Sequence, residues 1–130
     1  MYKTYLILAA LLGALSVILG AFGAHGLKSI VSPDVLEIYE TAVRYQFYHV
    51  FALLAAGLLM LHAPQRMFSI AGIFFIAGIL LFCGSLYLIT ALKAGGKEIA
   101  TGIGILTPIG GLLFIIGWLS LFGGLLKMKS

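Results

Sequence analysis

Apolar residues run along this chain in four long blocks, separated by short polar breaks. The first block, residues 4–24, matches the ~20 residues that a helix needs to cross the hydrocarbon core of a bilayer. The second begins as an amphipathic segment. Ser32 and Pro33 read as an N-cap followed by proline at the first helical position, and Asp34 lies in the first turn, where the helix dipole favours an anion. Glu37, Glu40 and Arg44 fall on one side of that segment, opposite Val35, Ile38, Ala42 and Tyr45. The wholly apolar stretch that follows, 47–61, is too short to span alone, so the pattern predicts one helix over 33–62. A turn at 63–66, a third helix over 67–92, a glycine-containing break and a fourth helix over 99–126 complete the chain. Short connections make neighbouring helices antiparallel. The predicted fold is an all-α, four-transmembrane-helix up-down bundle with an amphipathic extension before helix 2, in a single integral membrane domain over 1–130.

Composition strengthens this reading. The chain is 62% apolar and 9% charged, against about 45–50% and about 25% in soluble domains. Its mean hydropathy is +1.18. The net charge of +4 comes from basic residues placed singly near the ends of apolar runs. That distribution anchors a protein at anionic headgroups and gives no clustered patch for nucleic acid. The basic residues divide four and four between the two ends of the bundle, and the side without acids (Lys3, Arg66, Lys127 and Lys129) is taken as cytoplasmic. Cys83 is the only cysteine, so an intrachain disulfide is excluded.

Small residues are patterned. Ala9, Gly13, Ser16, Gly20 and Gly23 recur at helical spacing in the first span, a regularity that a cleaved signal peptide does not need. Ala71, Gly78 and Ser85 are seven apart in the third span, as are Gly110, Gly117 and Gly124 in the fourth. With Gly84 and Gly111, these positions are the expected helix-packing surfaces.

Up-down topology also sorts the polar residues. One end of the bundle gathers His25, Glu40, Arg44, Tyr45, Gln46, Tyr48, His49, Ser85, Tyr87, Thr90, Thr101 and Thr107; the other has only flanking groups such as His62 and Arg66. Helical rise places Ser85, Thr107 and His49 at one level, with His25 above them. The candidate polar site is therefore His25, Glu40, Arg44, Tyr48, His49, Ser85, Tyr87 and Thr107. Each has a structural reading beside the functional one. Serine and threonine hydroxyls join helices. Tyr39, Tyr45, Tyr48 and Tyr87 suit an interfacial aromatic belt. His49 can donate to a carbonyl of a neighbouring helix, and Glu40 with Arg44 can form an i,i+4 ion pair. Pro108 leaves a carbonyl near Gly104 without its helical donor. A metal would need more ligands than the two histidines and Glu40 supply, and no nucleophile–base arrangement or phosphate-cradling loop is present. No metal, cofactor or catalytic set is expected.

Four stretches carry a family resemblance: Leu19-Gly20-Ala21-Phe22-Gly23-Ala24-His25-Gly26-Leu27, Tyr45-Gln46-Phe47-Tyr48-His49, Leu81-Phe82-Cys83-Gly84-Ser85-Leu86-Tyr87 and Thr107-Pro108-Ile109-Gly110-Gly111. In order and spacing they resemble the domain-of-unknown-function 423 family of small bacterial inner-membrane proteins, which has eukaryotic transmembrane relatives. Cys83 stands where that pattern favours a small residue such as serine. The resemblance implies an uncleaved four-helix protein of the plasma membrane and brings no reaction, cofactor or substrate. Two functions stay open: a non-enzymatic structural or interaction component of the envelope, packing with itself or with other membrane proteins, or a small-molecule, lipid-headgroup or proton-binding protein using the His25/His49 end.

Overall fold

The computed structural model describes residues 2–129 and is all-helical over them. Helix α1 covers Tyr2–Ala24, α2 Pro33–His62, α3 Arg66–Gly78, α4 Gly84–Ala94 and α5 Thr101–Leu126. Between α3 and α4, Ile79–Cys83 form a π turn, so these three segments make one continuous third span. Four helical spans are long and apolar enough to cross a membrane.

Local chemistry sets the boundaries. The Ser32 hydroxyl caps α2 by accepting the Val35 N–H at 3.4 Å, with Pro33 beside it. From there α2 runs unbroken through the amphipathic segment into the membrane. At the end of α4, Gly96 takes a left-handed conformation, with φ at 71°. The Lys97 N–H then reaches back to the Leu92 carbonyl at 2.8 Å, and the Gly96 N–H to Lys93 at 3.1 Å. This double bond pattern stops a helix sharply and favours glycine at its left-handed position.

Around the bundle, α1 packs on α2, α2 on the third span, and α5 on α3 and the π turn. Gly13 lies against Val50 and Gly20 against Val43, so the antiparallel α1 and α2 match Ala14 with His49. Ala14 is midway along the first apolar run, so His49 is level with the middle of that span. Carbonyls of α1 and α3 receive side chains from their neighbours. Tyr39 donates to Leu19, Gln46 to Leu12 at 3.3 Å, and Tyr5 to Ser69 at 2.6 Å. Such bonds are favoured where no water competes for either partner.

The α3–α5 seam is the tightest. A Cβ on Gly110 would lie 2.3 Å from the Phe82 backbone nitrogen, and one on Gly78 2.3 Å from the Phe114 ring. One on Gly117 would meet the Phe75 ring at 2.8 Å. Phe68 and Phe75, fully buried, fill this seam toward the chain termini. In α1, Gly23 seats the Tyr39 ring, and Ser16 is buried with its hydroxyl on the Leu12 carbonyl at 2.7 Å. Gly84 has open space where its side chain would be, so it is not a packing contact within the chain.

Candidate functional site between α2 and α5

Where α5 comes closest to α2, large rings separate the two helices. Phe114 lies flat on His49, with ring centroids 3.5 Å apart and planes 10° from parallel. Four residues on, the Trp118 indole N–H donates to His49 Nε2 at 3.0 Å. An indole nitrogen is only a donor, so Nε2 must be the accepting nitrogen of a neutral imidazole. The remaining proton sits on Nδ1, which donates to the Tyr45 carbonyl of its own helix at 2.7 Å. Both ring nitrogens are therefore engaged, and His49 is 4% exposed.

These rings border a groove of about 740 Å³, lined by Tyr45, Tyr48, His49, Phe82, Pro108, Gly111, Leu112, Phe114, Ile115 and Trp118. Ligand pockets commonly fall between about 300 and 1,000 Å³. Phe82, from the π turn, meets Tyr45 at 4.8 Å and Phe114 at 5.5 Å between ring centroids, forming the floor. Tyr48, Leu112, Ile115 and Trp118 are exposed on the outer walls, where a bilayer would lie. Extra π-turn residues interrupt the regular helix ladder and recur at functional sites. Here the turn carries Phe82 to both Gly110 and the groove.

The other polar residues form separate pairs. Tyr87 donates to the Gln46 side-chain oxygen at 2.6 Å, and Gln46 in turn reaches the Leu12 carbonyl. The Ser85 hydroxyl lies 2.6 Å from that of Thr107 and donates to the Phe82 carbonyl at 2.9 Å. Thr90 bonds the Leu86 carbonyl at 2.9 Å. Among the described residues, no buried side-chain nitrogen or oxygen lacks a partner, and no group of three or more His, Cys, Asp or Glu is placed to hold a metal.

The expected single cluster is thus divided. Ser85 and Thr107 meet, but His49 does not join them. It stacks seven residues further along α5, about 10 Å deeper. His25, Glu40 and Arg44 are exposed and stay out of the buried networks. Their place follows from burial: charged groups turn toward headgroups and water, whereas His49 is enclosed by rings. Tyr39 and Tyr87 are not belt residues, because both hydroxyls bond inside the bundle; Tyr45 and Tyr48 do face outward. Gly111 lines the groove, in ordinary contact with the Phe82 ring at 3.8 Å. Sequence reasoning missed Trp118. Its signal was present: the only tryptophan lies well inside the last span, away from the interfaces where indoles are enriched. An indole N–H at that depth needs an acceptor.

The profile of a family described as "Protein of unknown function (DUF423)" matches residues 19–111. That stretch begins with the first of the four motifs and ends with the last. The UPF0382 membrane protein of Staphylococcus saprophyticus is 40% identical over 127 residues, covering 97% of this chain and 99% of that one. The UPF0382 membrane protein of Haemophilus influenzae is 42% identical over 136 residues, covering 100% and 99%. A Staphylococcus aureus relative of that description is 44% identical over 121 residues, covering 92% of each chain. No solved structure matches the chain. With four membrane-spanning helices and these full-length relatives, the chain belongs to the domain-of-unknown-function 423 family of multi-pass membrane proteins.

Proposed function

We propose that the protein acts without catalysis, as an interaction component of the bacterial inner membrane, and that its working surface is the groove between α2 and α5. The observation that carries this reading is the contrast between the groove and the polar interior. The interior is occupied with itself: His49, Gln46, Tyr87, Ser85 and Thr107 bond one another or nearby carbonyls. His49, the most enclosed of the candidate acid–base groups, has both nitrogens engaged, so proton transfer would first require breaking a bond. The groove instead offers aromatic and aliphatic surface toward the bilayer, suited to a hydrophobic chain or a neighbouring helix.

A photo-crosslinking residue at Leu112, on the groove wall, tests this in native membranes. It should capture one discrete partner that the same residue at Val17, on the exposed side of α1, does not. Identical, diffuse adducts at both positions would sink the proposal. The reading also puts both termini in the cytoplasm. A cysteine at Lys97 should then react with an impermeant maleimide added to intact cells; labelling only after lysis would reverse the orientation.

A further inference from the structure

We propose that the groove holds an acyl chain of an anionic phospholipid from the leaflet on the His25 side, with Arg44 drawing in its phosphate. This rests on the α2–α5 groove being the working surface. Three observations name the occupant. The first is length. Along α5 the groove runs from Pro108 to Trp118, which at the helical rise is about 15 Å. The hydrocarbon core is about 30 Å thick, so the groove is half as long as the core. A docked helix would use the full thickness, whereas a lipid of one leaflet would use half.

The second is where the groove ends. Its deep end is the His49–Trp118 contact, and with the first span centred in the bilayer His49 lies at its middle. Phe114, stacked on His49, is level with it, so the groove reaches from about 9 Å on the His25 side to Trp118 just past the middle, the level at which acyl chains of that leaflet terminate. Its lining is almost wholly aromatic and aliphatic, and its polar ring nitrogens are already bonded. A hydrocarbon chain leaves none of those nitrogens short of a partner.

The third is charge. Arg44 is exposed and lies on the same α2 face as Tyr48, one turn nearer the His25 end. Five residues separate it from His49, about 7.5 Å of rise. That depth is inside the hydrocarbon region. An exposed guanidinium there extends toward the headgroups, where phosphate oxygens are matched acceptors for its paired N–H groups. Glu40 is exposed one turn further out, about 13 Å from the bilayer middle by the same rise. That is just inside the edge of the hydrocarbon core, about 15 Å from its middle, and the side chain extends from there to headgroup water, which screens it from the guanidinium.

Trp118 is the only tryptophan, so the full-length chain reports on its own groove by fluorescence. It should be reconstituted into vesicles of phosphatidylcholine and phosphatidylglycerol in which one or the other carries brominated, quenching chains. The expected result is half-maximal quenching at about fivefold lower mole fraction of brominated phosphatidylglycerol, the preference one basic residue gives at a charged bilayer surface. Arg44→Gln should remove the preference and keep the quenching, whereas Arg44→Lys should retain it. Gly111→Leu, which projects into the groove, should reduce quenching by both lipids. Equal quenching by both lipids in the native chain, unaltered by Gly111→Leu, would overturn the proposal and the groove as a working surface together. Absence of quenching by either lipid, with a protein crosslinked at Leu112, would overturn the lipid occupant alone.

Discussion

Helix α5 has two seams, and they are built from opposite materials. Toward α3 and the π turn it presents Gly110, Gly117 and Gly124, and Phe82, Phe75 and Phe68 press against their backbones. Toward α2 it presents Phe114 and Trp118, which meet His49 and hold the helices apart. The first seam is closed and the second is a groove of about 740 Å³. In lipid no hydrophobic force pulls helices together, so contact distance is set by side-chain size and shape. Glycine on one face and rings on the other are enough to make one interface tight and its neighbour open.

The largest expected effect breaks the tight seam while sparing the open one. Gly110 and Gly111 are adjacent in sequence and opposite in circumstance. A methyl group on Gly110 would lie 2.3 Å from backbone nitrogen of the π turn, which cannot turn aside as a side chain can. On Gly111 the closest neighbour would be a ring atom at 3.8 Å, ordinary contact. Gly110→Ala should therefore destabilise by about 3 kcal/mol, the upper range for overpacking. Gly111→Ala should stay within about 0.5 kcal/mol of the native chain, as substitutions without a clash do. Unfolding of the purified protein in mixed micelles with increasing dodecyl sulfate measures both. Equal effects would mean that α5 does not approach the π turn in this way.

A smaller effect is expected at the groove's deep end. His49→Phe keeps a ring on Phe114 but leaves the Trp118 N–H without its acceptor, and should cost about 1–3 kcal/mol as an unsatisfied buried donor. Trp118→Phe removes the donor instead. In the double variant, the pair's coupling should fall between about 0.6 and 1.7 kcal/mol, the range for intramembrane hydrogen bonds. A coupling of zero in the same unfolding assay would mean that rings alone, without the hydrogen bond, set the width of the α2–α5 seam.

What could be read from sequence follows the same division. The four spans were legible because bilayer thickness fixes their length, and the meeting of Ser85 with Thr107 because antiparallel order fixes their relative depth. The His49–Trp118 contact was not. It depends on how α5 is rotated about its axis, and α5 is apolar on every side, so no polar stripe marks which face looks at α2. The π turn was hidden for a related reason. Ile-Leu-Leu-Phe-Cys contains neither proline nor glycine to flag a departure from regular helix. The open space beside Gly84 ran against its expected place among the helix-packing glycines. His25, Glu40 and Arg44 shared an end of the bundle with His49 in sequence order, but depth and burial separate them in space.

The smallest effect sharpens the comparison at the level of Ser85 and Thr107, between the tight seam and the His25 end. Ser85 has one hydroxyl hydrogen, directed at the Phe82 carbonyl 2.9 Å away. The 2.6 Å contact with Thr107 must then be donated by threonine. The two partners are unequal as a result. Thr107→Val removes a donor and leaves Ser85 bonded within its own span, so its cost should be near the ~0.6 kcal/mol average for such bonds. Ser85→Ala removes the acceptor of one bond and the donor of the other, and should cost more, approaching ~1.7 kcal/mol. If Thr107→Val proved the costlier change in the dodecyl sulfate assay, the donor assignment would be reversed. The serine would then be serving α5 across the seam, and the π-turn carbonyl would be free of it.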